Sequence, residues 1–472
     1  MKKTKLLMGF LATLCALPMM AQRIECRYSV ENNYWMPQSS IKFADKARDG
    51  YKVVSLEKPA QEIEGIGGTF SELGWDALCY LDDKSREEVI YNFFDRKEAN
   101  FTMNRFPIGA SDFALNFYSL NDVADDFDMI NFSVARDRHI LMRFIKAAMK
   151  YNPDMKFWAC PWCPPAWMKT NNHYASNVDD DAVNHNGLPK EKELELPTTG
   201  MKMQYGYLKA YALYFSKFVK AYAKEGIKVS YVGLQNEPCS TQKYASCTWR
   251  PEDMAYFVGK FLGPQFEADK IDAGILFATI NRDNPAYSRV ALDDAGAKKY
   301  WVGAGYQWDG KGAIPYINKE YPNLKIFHTE AECGNGSNDW AAAEHTWWQV
   351  CHYLRHGARN FQYWNLVLDE TGMSPWGWHQ NSLVTVDTKR GTVRYNPEYY
   401  LMKHLAHYVT PGAHYLSLQN DADDLVAFVN PDGKKVVLAV NRDNAVKRMS
   451  INVDGKYINI EMKAKSFYTL YF

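Results

Sequence analysis

Val229 to Leu234 is a short apolar run that stops abruptly at Gln235-Asn236-Glu237-Pro238. Ninety-three residues after Glu237, the run Leu324-Lys-Ile-Phe-His-Thr ends in a second carboxylate, Glu330. A carboxyl group at the C-terminal end of a buried strand is placed for chemistry at a barrel mouth. Two of them supply what cleavage of an acetal needs: an acid, and a base or nucleophile.

The elements that would carry these groups alternate between strand and helix periodicity along the chain. Gly65 to Phe70, Met103 to Ile108, Lys156 to Ala159 and Val229 to Leu234 read as the first four strands. Ile275 to Ala278, Tyr300 to Gly303, Lys325 to Thr329 and Asn360 to Tyr363 read as the next four. Helices are expected between them, including Lys84 to Phe94, Tyr205 to Glu225, one opened by Pro251-Glu252-Asp253, and Trp340 to His356. Acidic residues in a first turn suit the helix dipole. Eight strands with alternating helices predict an α/β fold, a (β/α)8 barrel. Beyond residue 408 the texture changes to short alternating strands, with a hairpin turn at Pro431-Asp-Gly-Lys434, which predicts an antiparallel β-sandwich. Ile24 to Val30 and Tyr51 to Leu56 alternate in the same way and are expected to complete that sandwich. The resulting division is 1–21 signal peptide, 22–60 N-terminal sandwich strands, 61–408 barrel and 409–472 the rest of the sandwich.

Lys2, Lys3 and Lys5 precede an apolar run to Leu17 and then Pro-Met-Met-Ala21, the pattern of a secretory signal peptide. No later run approaches the ~20 apolar residues of a membrane span, so a secreted or periplasmic protein is expected. Leu14, not a small residue, precedes Cys15, which argues against lipidation there. The 55 basic and 55 acidic residues balance, which gives no sign of nucleic acid or another polyanion and leaves a neutral substrate as the default. Aromatic residues make up 15% of the chain, and their flat apolar faces suit sugar rings as well as ordinary cores. Cys160-Pro-Trp-Cys163 lacks a second pair at zinc spacing, and Asp179-Asp-Asp181 does not match a calcium loop, so neither metal nor cofactor is expected. Gly65-Ile-Gly-Gly68 departs from the dinucleotide fingerprint. Cys239 and Cys247 bracket the loop after Glu237, where a disulfide could brace it. A monomer is expected.

Six segments together resemble glycoside hydrolase family 30: Gly65-Ile-Gly-Gly-Thr-Phe70, Asn104-Arg-Phe-Pro-Ile-Gly-Ala-Ser-Asp112-Phe, Pro161-Trp162-Cys-Pro-Pro-Ala-Trp167-Met-Lys-Thr-Asn171, Gln235-Asn-Glu-Pro238, His328-Thr-Glu330-Ala and Tyr363-Trp364-Asn365. Each is weak alone; their order over most of the chain is specific. The resemblance implies a (β/α)8 barrel with an attached β-sandwich and a retaining mechanism, with Glu237 as acid/base and Glu330 as nucleophile. It places Arg105 beside the nucleophile, Asn236 at the sugar 2-hydroxyl, and Asp112, Trp162 and Trp364 around the non-reducing sugar. A rim ion pair for Arg105 and simple packing for the tryptophans are the alternatives. Physically, a retaining acid/base must be protonated near neutral pH, and burial beside an ionised partner raises a carboxyl in that direction.

Val302-Gly-Ala-Gly-Tyr306-Gln307-Trp308-Asp309 and Glu332 depart from the glucocerebrosidase pattern, whereas Asn365 to Asn381 is more like the microbial endo-β-1,6-glucanases of the family. An endo enzyme needs sugar platforms on both sides of the cleaved bond, and Tyr306, Trp308, Trp376 and Trp378 are the candidates. The expected substrate is therefore a β-glucan cut at internal β-1,6 bonds. A β-glucosidase or glucosylceramidase is the alternative within the same chemistry, and a non-catalytic sugar-binding protein is disfavoured by the presence of both carboxylates.

Overall fold

The computed structural model describes residues 23–179, 186–420 and 424–472. The segment read as a signal peptide, and Asp180 and Asp181 of the acidic run, lie outside the described residues.

Eight parallel strands form the central sheet: β1 (Gly65–Thr69), β2 (Met103–Pro107), β3 (Lys156–Cys160), β4 (Val229–Gly233), β5 (Gly274–Ile280), β6 (Trp301–Gln307), β7 (Lys325–Glu330) and β8 (Asn360–Asn365). Their order, β7-β6-β5-β4-β3-β2-β1-β8, follows the chain and brings β7 and β8 together as the last seam. This is the (β/α)8 barrel read from the sequence. Strands β5 and β6 run further than their apolar signal, because small and polar residues continue the extended chain to the mouth.

The β7–β8 seam closes largely through side chains. Asn360 accepts from the His328 N–H at 2.9 Å and donates to the His328 carbonyl at 2.9 Å, so its amide imitates a backbone pair. The His328 Nδ1 accepts the Gln362 N–H at 3.0 Å. Burial lowers the His328 pKa to about 3, so the ring is neutral and can accept. At β1, a Cβ on Gly67 would lie 2.1 Å from the Met103 carbonyl oxygen, so the glycine-rich motif serves close strand approach.

The opposite, N-terminal end of the barrel is closed by a charge cluster. Glu64, just before β1, accepts from Lys156 of β3 at 2.8 Å, from the Tyr231 hydroxyl of β4 at 2.8 Å, and from Lys325 of β7. Burial by itself would raise the Glu64 carboxyl, but these hydrogen bonds outweigh it and hold the pKa at about 2.

Ten further strands form a second sheet in which Glu25–Val30 pairs antiparallel with Ser466–Tyr471, so the two ends of the described chain meet. The sheet is mixed where the sequence predicted it antiparallel: Lys52–Glu62, an 11-residue strand, runs parallel to Lys447–Val453. A parallel pair needs a long connection, and here the whole barrel is that connection. The helix Pro397–Ala406 joins the two units, with buried His404 bonded to Ser29 at 2.8 Å and Thr469 at 2.9 Å. Val367–Asp369, Val384–Asp387 and Thr392–Tyr395 form a small third sheet that holds the loop carrying Trp376 and Trp378. Cys239 and Cys247 are free buried thiols, so no disulfide braces the loop after Glu237. Among the described residues no helix is long and apolar enough to cross a membrane.

The Glu64 cluster has a defined pH signature. Its folded pKa lies below the ordinary 4.5, so its stabilisation is complete above that pH and is lost as pH falls toward 2. Glu64→Gln should lower Tm at pH 7 by a few degrees, and the gap to the wild-type chain should narrow over that acid range in scanning calorimetry.

Candidate active site

The site is built around one guanidinium. Arg105, in β2, is fully buried and donates to Glu330 Oε2 at 2.7 Å, the Thr329 carbonyl at 3.0 Å, Asn236 Oδ1 at 2.6 Å and Cys160 Sγ at 3.1 Å. Its charged plane lies 4.4 Å from the Trp162 ring, 4.9 Å from Trp158 and 5.4 Å from Trp364. An arginine so enclosed is tolerated because both terminal nitrogens meet an anion or acceptors and its faces meet aromatic rings, although its Nε has no hydrogen-bond partner within the protein. Trp162 and Trp364 stack on each other at 5.2 Å, and both are buried against this cation.

Glu237 follows β4 through Leu234-Gln-Asn, which continue the extended chain by pairing Asn236 with Thr279 near the end of β5. At Glu237 the backbone turns, with φ of +46°, a left-handed conformation that a non-glycine residue rarely adopts. The turn leaves Asn236 and Glu237 both facing the barrel mouth. Asn236 Oδ1 accepts from Arg105, from the Thr279 hydroxyl at 3.0 Å and from Gln307 at 3.4 Å, which turns its amide nitrogen elsewhere. Glu237 accepts from Gln307 Nε2 at 3.2 Å and from the Tyr244 hydroxyl at 3.4 Å. Burial first, and the neighbouring Glu330 second, raise its pKa to about 7. Glu330, ending β7, also accepts from the Trp308 indole N–H at 3.1 Å.

Asp112, beyond β2, is the third carboxyl of the cluster. Burial, then Glu330 and Glu237, push its pKa well above the ordinary value, and its Oδ1 has no hydrogen-bond partner within the protein. When protonated, a carboxyl of this kind can both donate to and accept from hydroxyl groups.

The structure thus brings together Arg105, Asp112, Trp162, Asn236, Glu237, Trp308, Glu330 and Trp364. Trp378 stands apart on the outer loop, 38% exposed and 6.2 Å from Tyr244, on the Glu237 side. Trp376 is buried and stacks on Phe117 at 4.9 Å. Tyr306 is not in the cleft. It is fully buried behind the barrel wall, its hydroxyl 3.0 Å from Ser288, because side chains alternate along β6 and the next residue, Gln307, takes the inward position. Trp308 lies on the inner side despite that alternation, because its φ of +48° ends the strand. Gln307, Thr279 and Tyr244 are contacts that sequence reasoning missed. The alternation of β6 is the signal that could have found Gln307; Tyr244 comes from a loop without periodicity. Cys160 faces Arg105 whereas Cys163 bonds the Tyr174 carbonyl, so the two thiols serve separate contacts.

Comparison with known proteins decides the family. The family models "Glycosyl hydrolase family 30 TIM-barrel domain" and "Glycosyl hydrolase family 30 beta sandwich domain" match residues 63–409 and 412–470. The chain belongs to glycosyl hydrolase family 30. It is a glycoside hydrolase, and its relatives include glucosylceramidases and endo-1,6-beta-glucanases. A Caenorhabditis elegans protein provisionally named glucosylceramidase 1 is 30% identical over 84% of this chain and 77% of its own. The endo-1,6-beta-D-glucanase neg1 of Aspergillus fumigatus is 25% identical over 81% of this chain and 78% of its own. The crystal structure of SrfJ from Salmonella typhimurium superposes with a TM-score of 0.83 at 25% identity, covering 95% of this chain and 99% of that one.

Two outcomes follow from the geometry. If protonated Glu237 is needed, kcat/KM should fall above about pH 7, and in Glu330→Gln the Glu237 carboxyl should titrate lower, measured by carboxyl carbon NMR. Gln307→Ala should cost ~10- to 100-fold in kcat/KM through the lost hydrogen bond to a carboxyl, whereas Tyr306→Phe should leave it within about twofold.

Proposed function

We propose that this chain is a secreted, retaining hydrolase that cuts internal β-1,6-glucosidic bonds of β-glucan. The observation that carries the chemistry is the contrast between the two carboxyls. Glu330 is fixed by a buried guanidinium and an indole N–H, whereas Glu237 is raised to about 7 by burial and by Glu330 itself. Through Gln307, Asn236 and Arg105 the two groups share one connected set of side chains, which supports the short separation a covalent mechanism needs.

In this reading Glu330 attacks the anomeric carbon while Glu237 gives its proton to the departing glycosidic oxygen. The ester formed at Glu330 removes the neighbouring negative charge, so the Glu237 carboxylate is easier to form and easier to leave charged. It then takes a proton from water, whose oxygen attacks the anomeric carbon and returns Glu330 as carboxylate. Asn236 contributes through its amide nitrogen, freed toward the 2-hydroxyl because three donors occupy its oxygen. Neutral Asp112 suits the remaining hydroxyls of the same sugar. Tyr244 and exposed Trp378 lie on the acid/base side and fit a second sugar in the leaving group. That placement supports an endo mode; the 30% identity to the nematode protein supports glucosylceramide as the competing substrate.

Time courses with β-1,6-glucan, β-1,3-glucan, xylan and glucosylceramide separate these readings. Early oligosaccharides from β-1,6-glucan are expected; glucose alone, or turnover of the lipid only, would remove the endo reading. Glu330→Gln should abolish turnover. Glu237→Ala should slow glycosides with poor leaving groups far more than activated ones. A 2-deoxy-2-fluoro glycoside should label Glu330 covalently in peptide mass spectra.

A further inference from the structure

Trp308 supplies an indole N–H to Glu330, yet it sits at the end of β6 with a left-handed backbone, where a residue other than glycine is strained. Such a conformation persists only if its surroundings hold it. The Lys311 ammonium donates to the Trp308 carbonyl at 3.1 Å and to Glu332 Oε1 at 2.7 Å. Glu332 Oε2 meets His345 Nε2 at 2.8 Å, from the helix Trp340–Arg355. The same helix fixes the backbone on both sides: Gln349 accepts the Glu332 N–H at 2.9 Å, and His352 bonds the Lys311 carbonyl at 2.9 Å. Exposed Asp309 also approaches the Lys311 ammonium, at 3.6 Å.

Glu332 stands two residues after Glu330 on the same segment. A bond from Glu332 through Lys311 to Trp308 therefore fixes the indole relative to the carboxylate it must touch, tying the β6 loop to the end of β7. We propose that Lys311 and Glu332, backed by His345, are positioning residues that hold the Trp308 indole on Glu330. The inference rests on the reading of Glu330 as nucleophile. Burial would raise the Glu332 carboxyl, but its bonds to His345 and Lys311 hold it at about 2, in keeping with a permanently charged anchor.

The test is a double-mutant cycle on kcat/KM with a 2,4-dinitrophenyl β-gentiobioside, whose leaving group needs no acid and so isolates attack by the nucleophile. Trp308→Phe and Lys311→Met should each lose about 10-fold or more, with KM changed little. The pair Trp308→Phe/Lys311→Met should be no worse than Trp308→Phe alone within about twofold, and Lys311→Arg should restore most of the loss. Glu332→Gln, nearly isosteric, should reproduce Lys311→Met with Tm within a few degrees, and replaces it in the cycle should Lys311→Met fail to fold. Multiplying losses, or an unchanged kcat/KM in Glu332→Gln, would overturn the positioning role. Glu330→Gln run alongside separates the two levels: if it retains activity the nucleophile assignment falls, whatever the cycle shows.

Discussion

The ion pair between Arg105 and Glu330 is the constraint around which the catalytic end of the barrel is arranged. A guanidinium without exposure is costly unless its charge and its donors are matched, and one carboxylate cannot match all of them. Most of the remaining matching comes from the Thr329 carbonyl, Asn236, a thiol and three indole faces, contributed by β3, β7, β8 and the segments that follow β3 and β4. Arg105 therefore fixes where those strands end and which side chains they present. Trp162 and Trp364 are sugar-site candidates by resemblance and the walls of a cation cage by geometry.

The same pair sets the electrostatics of the other acids. With the only buried guanidinium of the cluster committed to Glu330, Asp112 and Glu237 face burial and a neighbouring anion, and both carboxyls rise. At the far end of the barrel the arrangement is reversed: Glu64 is one carboxyl among two ammonium groups and a phenol, and its pKa falls to about 2. Carboxyl groups at the two ends of one barrel are thus driven in opposite directions by how many donors each receives. The upper end is poised for proton transfer, and the lower end is a fastening.

Loops carry the parts of the site that strands cannot place. Glu237 and Trp308 both leave their strands through left-handed residues, with φ of +46° and +48°, and both thereby point a functional group at the opposite wall. Regular β geometry would send alternate residues outward, as it does with Tyr306. The strain is held by neighbours: Thr279 accepts the Glu237 N–H at 3.2 Å, and Lys311 holds the Trp308 carbonyl. Trp378 belongs to a loop supported by the small third sheet, so the outer reach of the cleft is set by an element with little hydrophobic signal of its own.

Sequence by itself determined the eight barrel strands and the sandwich with its N-terminal contribution, and it singled out Glu237, Glu330 and Arg105, which the fold brings together, because apolar periodicity and strand-end motifs are local signals. It misplaced Tyr306, which alternation along β6 turns outward, and it treated the sandwich as antiparallel where one pairing is parallel across the whole barrel. It also allowed a disulfide between Cys239 and Cys247, which are free thiols. Only the tertiary structure decided that Gln307, Thr279 and Tyr244 contact Glu237, and that Lys311 bonds both Glu332 and the Trp308 carbonyl. The physical reason is that hydrogen bonds between loops depend on where strands end in space, and two left-handed residues redirect the chain at the points where the chemistry is placed.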